Sequence, residues 1–252
     1  PTAASFFRQR MTSALPHEFD RRASDYERHA PVQREAAQWL AEWLPGEIEH
    51  PALELGAGTV LFTRHLVGRT KRLVASDIAP RMVQAGIDRL PDAEWAVAEA
   101  ATPPEAQGYR WIFSCSLIQW LPDPDAAFRA WRRVAAPGAR LVSGWFIRGT
   151  LAEFFRSCPE ASPFVWRGAD EWGDLLARAG WTVQRRESRT FVRHHADSAA
   201  MLREIHNAGA VIPRRMGLGK LRQGLRQYDR DNRGQGGVQS TFEFLRVEAV
   251  RS

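Results

Sequence analysis

The chain is poor in the features that would indicate a disulfide scaffold, a metal site or a membrane span. Its 252 residues include two cysteines, Cys115 and Cys158, whose separation matches neither a metal-ligand pattern nor Cys-x-x-Cys. No stretch approaches about 18 uncharged apolar residues, and the N-terminal residues lack the basic-then-apolar pattern of a signal peptide. We therefore expect a cytoplasmic protein with no membrane partner and no bound metal.

Lysine is also scarce. Lys71 and Lys220 are the two lysines among 35 basic residues, so arginine carries almost all of the positive charge. The net charge of +6 and the pI of about 10.1 favour an acidic partner, although compositional bias would explain the same balance equally well. The arginines are dispersed and no nucleic-acid motif accompanies them, which argues against a nucleic acid as that partner.

The segment from Ala52 to Leu66 has the pattern of a buried strand that turns sharply into a helix. Gly56 and Gly58 lack a Cβ and would allow a tight bend close to a ligand. Leu61 stands where a dinucleotide motif has its third glycine, and the Glu54 carboxylate suits a cationic or polar group better than a phosphate. A glycine-containing turn without a ligand is the alternative interpretation.

Further polar residues follow the next predicted strands. Residues 71–79 are predicted as a strand ending at Asp77, about 20 residues beyond the glycines, where a ribose-binding carboxylate is expected. Asp77 could instead, or also, cap the helix predicted from Pro80 to Leu90. Ser114 and Ser116 fall at the C-terminal end of another predicted strand, the edge at which open parallel sheets bind ligands.

Strands and helices alternate along the chain, which predicts an α/β fold with a mostly parallel seven-stranded sheet and helices on both faces. Further strands are predicted over residues 93–99, 109–116, 139–147 and 183–193, and the strand over 241–250 is expected to pair antiparallel at the sheet edge. Helices are predicted over residues 16–44 (broken near Pro31), 123–135, 198–207 and 218–228. Residues 1–45 would form an N-terminal helical arm or lid and residues 46–252 the main domain.

Residues 148–178 are predicted as a helical insertion that is rich in aromatic residues. Such residues could wall a substrate pocket, although a satellite core is the plainer interpretation. They are Phe154, Phe155, Phe164, Trp166 and Trp172.

Seven segments, spread over nearly the whole chain, occur in the same order in one known family. They are residues 19–33, 53–58, 76–82, 116–120, 133–138, 149–153 and 206–210. On these segments the chain resembles the malonyl-acyl-carrier-protein O-methyltransferases of biotin synthesis, which have the Rossmann-like class I methyltransferase fold. The glycine turn and Asp77 are general to that superfamily, whereas Gln119-Trp120 and Gly209-Ala210 are more particular to the family.

The resemblance implies that the chain binds S-adenosylmethionine and methylates a malonyl group carried by an acidic acyl carrier protein, as a monomer or weak dimer. The implied cofactor-binding residues are Glu54, Gly56, Ala57, Gly58, Asp77, Ile78, Met82, Glu99, Ala100, Ser114 and Ser116. Tyr26, Gln119 and Trp120 would position the substrate. A general base is not expected, because a malonyl carboxylate is already ionised near neutral pH. Exposed arginines would attract the carrier protein electrostatically.

Other interpretations remain open at this point. Tyr26 on a helical stripe could be a core residue, and His29 a surface histidine. Val60 stands where the family has a third glycine and would narrow the cofactor site, Glu99 replaces an aspartate, and Arg110 also replaces an aspartate. These departures favour two alternatives: a methyltransferase for another small carboxylic acid, hydroxyl or amine, or a non-catalytic cofactor-binding or assembly protein on the same fold.

Overall fold

The computed structural model describes residues 17, 19–21, 23, 26–104, 108–159, 162, 164–208 and 217–252. Residues 1–16 of the predicted N-terminal arm and the Gly209-Ala210 segment lie outside this part of the chain.

One mixed sheet forms the centre of the fold. Its strands are β1 (Ala52–Leu55), β2 (Leu73–Asp77), β3 (Glu94–Val97), β4 (Tyr109–Cys115), β5 (Ala135–Phe146), β6 (Trp181–His195), β7 (Arg233–Gly234) and β8 (Gly237–Arg251). The order is β3-β2-β1-β4-β5-β8-β6, and the short β7 pairs with β8. The first five strands are parallel, whereas β8 pairs antiparallel with both β5 and β6. The mostly parallel α/β sheet with antiparallel pairing at this end is confirmed, and β6 rather than β8 is the outermost strand.

The helices are α1 (Tyr26–His29), α2 (Pro31–Ala41), α3 (Thr63–Leu66), α4 (Pro80–Arg89), α5 (Pro124–Val134), α6 (Ala152–Ser157), α7 (Ala169–Arg178), α8 (Ser198–Asn207) and α9 (Leu218–Asn232). A proline occupies the start of α2, α4 and α5, where its fixed φ fits a helix and its missing N–H has no cost. The Asp123 carboxylate caps α5 by accepting from the Ala126 N–H at 2.9 Å.

Several sequence-based boundaries were wrong, and two of them have a backbone cause in the structure. The helix expected directly after the glycine turn shrinks to the four residues of α3, because Val60 adopts φ 83° and turns the chain before the helix can begin. The strand expected from residue 139 begins at Ala135, and a register jump from Tyr109↔Ala135 to Trp111↔Arg140 takes up the intervening residues. Gly138, at φ 69°, supplies the left-handed conformation within this bulge.

Three of the five buried clusters among the described residues hold most of these elements together. One packs α5 and α7 on one face of the sheet through Trp131, Trp145, Trp172 and Trp181. A second packs α2 on the opposite face through Leu40. A third, smaller cluster joins α6, α8, α9 and β8. None of the helices in the described part of the chain has the length and hydropathy of a membrane span.

Candidate active site

A cavity of about 420 Å³ lies at the carboxyl edge of the sheet, over the point where the strand order reverses between β1 and β4. This is the position at which open α/β sheets bind ligands. Two groups of residues line it. The loop half follows β1, β2 and β3 and contains Gly56, Gly58, Asp77, Ile78, Met82, Ala98, Glu99, Ala100 and Ala101. The aromatic half lies toward β4, β5 and β8 and contains Phe19, Trp120, Phe146, Phe155, Phe164, Trp166 and Phe242.

The loop half is built from backbone turns. Gly56 and Gly58 have φ of 68° and 57°, in the left-handed region that glycine enters without steric cost. A Cβ on Gly56 would lie 2.8 Å from Leu117 Cδ1, whereas a Cβ on Gly58 would meet no atom within 4 Å. Space is therefore left at Gly58 for a ligand to approach the main chain closely.

Asp77 fixes this turn. Its Oδ2 accepts from the Gly58 N–H and its Oδ1 from the Ala79 N–H, both at 2.9 Å. Burial raises the pKa of Asp77, and the two backbone hydrogen bonds oppose that rise. The alternative role as cap of α4 is wrong, because Ala79 is the N-cap residue and makes no side-chain cap bond. Since a carboxylate has further lone pairs, Asp77 can also accept from a ligand hydroxyl in the cavity.

Glu54 is 1% exposed and belongs to the carboxyl end of β1. Burial raises the pKa of its carboxyl group to about 8, and the negative charge of Asp77 adds to the rise. Among the described residues its Oε2 atom has no hydrogen-bond partner. A cation or a hydrogen-bond donor near Glu54 would supply the interaction that this buried oxygen lacks.

Three of the predicted cofactor residues, Glu54, Ala57 and Ser114, are not part of the cavity wall, whereas the other eight are. Ser114 is completely buried within β4, and its carbonyl accepts from the Ser143 hydroxyl at 3.0 Å. Ser116 reaches the cavity because its φ of 59° breaks the alternation of the strand.

The unusual residues Val60 and Arg110 both lie away from the cavity lining. Val60 is buried outside the wall, and its carbonyl accepts from Arg64 Nε at 3.1 Å. Arg110 sits at the amino end of β4, opposite the cavity edge, in an ion pair of 2.8 Å with Glu49. The narrowing of the cofactor site expected from Val60 is therefore absent from the wall, and Arg110 adds no charge to it.

Helix α1 contributes Tyr26 and His29 to the wall. Between them, Glu27 binds Arg64 at 2.7 Å and Arg89 at 2.8 Å, which ties α1 to α3 and α4. Burial raises the pKa of the Tyr26 phenol, so this hydroxyl stays neutral. Tyr26 also packs against the cluster beneath α2 and against a small one formed by Ala23, Ala79 and Met82, so it is a core residue and a cavity residue at once. His29, weighed from the sequence as a surface histidine, faces the cavity.

The aromatic half is a chain of edge-to-face contacts. The Trp120 ring lies 4.7 Å from Phe164 and 5.7 Å from Phe19, and Phe164 lies 4.9 Å from Trp166. From the sequence, the aromatic residues of the insertion were expected either to wall a substrate pocket or to form a satellite core, and the structure shows some of them in each role. Phe155, Phe164 and Trp166 line the cavity, whereas Phe154 belongs to the small cluster and Trp172 to the main core.

Two polar atoms in this wall are buried without a partner in the described part of the chain: Trp166 Nε1 and Gln119 Oε1. Gln119 is oriented by its Nε2, which donates to the Ser116 carbonyl at 2.9 Å. Trp166 Nε1–H is thus a donor, and Gln119 Oε1 an acceptor, that no described residue satisfies.

Sequence reasoning missed a carboxylate in the wall. Glu204 on α8 lines the cavity and lies 3.3 Å from Nδ1 of His195, whose Nε2 lies 2.8 Å from the Ser240 hydroxyl. Burial lowers the pKa of His195, so the imidazole is neutral near pH 7. Helix periodicity predicted α8, but the packing of α8 against α1, α9 and β6 positions Glu204 at the cavity.

Comparison with known proteins gives consistent matches. A family model described as a methyltransferase domain matches residues 53–143. The biotin biosynthesis bifunctional protein BioCD of Bordetella avium is 32% identical over 93% of this chain and 52% of its own length. The malonyl-[acyl-carrier protein] O-methyltransferase of Halorhodospira halophila is 32% identical over 76% of this chain and 69% of its own length. A solved S-adenosylmethionine-dependent methyltransferase of Thermotoga maritima has a TM-score of 0.59, at 17% identity, over 94% of this chain and all of its own.

The strand order, the glycine turn held by Asp77 and the matching family model define a class I S-adenosylmethionine-dependent methyltransferase. Within that class, the similarity to the Halorhodospira enzyme extends over more than two thirds of both chains. The chain belongs to the malonyl-[acyl-carrier protein] O-methyltransferase family. It spans about half the length of the bifunctional Bordetella relative.

Proposed function

We propose that this chain transfers a methyl group from S-adenosylmethionine to the free carboxylate of a malonyl-acyl-carrier-protein thioester, a step of biotin synthesis in the cytoplasm. The observation that carries the proposal is that a glycine turn and Asp77 adjoin an open aromatic half in one and the same cavity. Relatives named for this reaction support the choice of acceptor.

The loop half fits the cofactor. Asp77 would accept from the ribose hydroxyls, Glu99 from the adenine amino group, and the space beside Gly58 would admit the ligand close to the main chain. Glu54 lies outside the cavity wall, so we assign it no direct contact with the cofactor. Ile78, Met82 and Ala100 would supply apolar walls, and Ser116 a hydroxyl. When bound, S-adenosylmethionine supplies an electrophilic methyl group attached to a sulfonium.

The protein's part in the reaction is to hold and orient the acceptor. A malonyl carboxylate is already a nucleophile near pH 7, so no base is required, and alignment alone can lower the barrier by several kcal/mol. Trp166 Nε1–H would donate to one carboxylate oxygen, and Gln119 and Trp120 would restrict its orientation. Tyr26 would contribute a neutral hydroxyl. Burial raises the pKa of Cys115 to about 12, which keeps this thiol from competing as a nucleophile.

A second candidate function is methylation of an amine. It is favoured by Glu204, whose carboxylate in the cavity wall would attract a cation and repel an anion, and by the aromatic rings of the same wall. Among the described residues of the wall, His29 is the one side chain able to carry a positive charge for a carboxylate acceptor.

An acceptor panel with isotopically labelled S-adenosylmethionine distinguishes the two. We expect label on malonyl-loaded carrier protein, as an alkali-labile ester detected by mass spectrometry. Carrier protein loaded with an acetyl group, which lacks the free carboxylate, is the matched control and should stay unlabelled. Label on simple amines but not on the malonyl carrier would replace the first proposal with the second.

A further inference from the structure

Helix α9 presents a row of arginines to solvent. Arg222, Arg226 and Arg230 are exposed and four residues apart, so they lie on one face about 6 Å from one to the next. Leu221, Leu225 and Tyr228 on the other side of the helix pack into the small cluster beneath. The arginine stripe, as we call these three residues, borders a shallow depression that also includes Gly219 and Gln223.

The stripe lacks carboxylate partners among the described residues. Arg222 and Arg226 make no hydrogen bond or ion pair within the described residues, and Arg230 contacts only the neutral Gln227. Elsewhere, Arg64, Arg72 and Arg110 each pair with a glutamate.

The acids near α9 are engaged elsewhere. Asp229 accepts from the backbone and hydroxyl of Ser198, and Asp231 accepts from Gln227. Glu153 accepts from the Thr241 hydroxyl, and Glu204 contacts His195. The positive charge of the stripe is therefore left for a partner in solution.

Helix α9 also covers two helices that contribute to the cavity wall. It packs against α6 and α8. Those helices contribute Phe155, Glu204 and Ile205 to the cavity wall. A macromolecule bound to the stripe would lie directly behind the wall of the aromatic half.

We propose that the arginine stripe is the docking surface for the acidic carrier protein, with carboxylates on one of its helices facing the three guanidinium groups. This inference rests on the proposed function. Arginines at i, i+4 and i+8 match carboxylates at the same spacing on a facing helix, and each guanidinium can bind a carboxylate with two hydrogen bonds. The stripe would bring the carrier to the enzyme and play no part in the chemistry.

The test compares one acyl group on two carriers. The variant Arg222→Gln/Arg226→Gln/Arg230→Gln is assayed with malonyl-loaded carrier protein and with malonyl-coenzyme A, a small thioester that has no need of the stripe. We expect KM for the malonyl carrier to rise roughly tenfold, with kcat and the small-thioester kinetics unchanged. The dissociation constant of the carrier protein, measured by calorimetric titration, should rise by the same factor and lose most of its salt dependence.

A matched control removes the same charge elsewhere. The variant Arg129→Gln/Arg133→Gln/Arg178→Gln changes exposed arginines of α5 and α7, helices that contribute no residue to the cavity. Equal weakening of carrier binding in both triple variants would show that net charge, and not the stripe, attracts the carrier. Unchanged carrier binding in the stripe variant would also refute the docking surface. If wild-type protein methylates neither thioester, the proposed function fails, and unaltered carrier binding by the stripe variant would refute the docking surface separately.

Discussion

The two halves of the cavity are built by different means. The loop half consists of short turns after consecutive parallel strands, and a carboxylate from one turn holds the backbone of another through the Gly58 to Asp77 hydrogen bond. The aromatic half gathers side chains from the N-terminal segment, β5, β8 and the insertion, with no shared local pattern. A cofactor common to a superfamily can be bound by the first kind of site, whereas an acceptor that differs between families requires the second.

The largest expected effect concerns the buried acid of the loop half, Glu54. Its folded pKa of about 8 lies above the unfolded value, so the native state binds more protons between about pH 4.5 and 8. Stability should therefore fall as pH rises through that window, by up to about 1.4 kcal/mol per pH unit from this group. We expect Glu54→Gln to remove roughly 3 kcal/mol of this loss, measured by urea unfolding from pH 5 to 9.

The control for Glu54 is Glu49→Gln, which neutralises an exposed glutamate paired with Arg110. Its pH profile of stability should follow that of the wild type. Parallel profiles for wild type and Glu54→Gln would mean that Glu54 is ionised in the native state near neutral pH, contrary to its burial.

Asp77→Ala should have the next largest effect and should separate the two halves. The substitution leaves the Gly58 and Ala79 N–H groups without their charged acceptor and removes the proposed ribose contact. Hydrogen bonds to charged groups contribute about 1.5–3 kcal/mol each, so S-adenosylhomocysteine should bind roughly 100-fold more weakly in calorimetric titration. Asp88→Ala, on the exposed side of α4, should bind it normally.

Binding of the carrier protein without cofactor should be unaffected by Asp77→Ala. If the variant bound S-adenosylhomocysteine as tightly as wild type, the ribose assignment would be wrong. If it lost carrier binding to the same extent, the two halves would not be independent.

The sequence predicted the loop half well because its determinants are local. Gly56, Gly58 and Asp77 are recognisable from residue type and spacing relative to the strands, and all three line the cavity. The position of Ser114 outside the cavity wall also has a local cause. Strand alternation puts residues 114 and 116 on one side, but the left-handed conformation of Ser116 ends that alternation.

The aromatic half was only partly predictable. Trp120 and the insertion aromatics were found, but their division between wall and core depends on how α6 and α7 pack, which no spacing encodes. His29, Glu204 and Phe242 reach the cavity through contacts between remote segments. A single sequence contains no signal for such contacts, whereas a buried strand followed by a glycine turn can be recognised from its residue types and their spacing.

The smallest expected effect tests the aromatic half through Trp120, whose ring bridges Phe19 and Phe164. Such ring pairs contribute about 0.5–1.5 kcal/mol each, so Trp120→Ala should raise KM for the malonyl acceptor roughly tenfold, while the affinity for S-adenosylhomocysteine changes little. Trp120→Phe keeps an aromatic edge against both neighbours and should restore most of the acceptor affinity. Steady-state kinetics with either substrate varied separates the two effects. If Trp120→Ala lost cofactor affinity and kept its KM for the acceptor, Trp120 would belong to the loop half. The boundary between the two halves drawn after β4 would then be wrong.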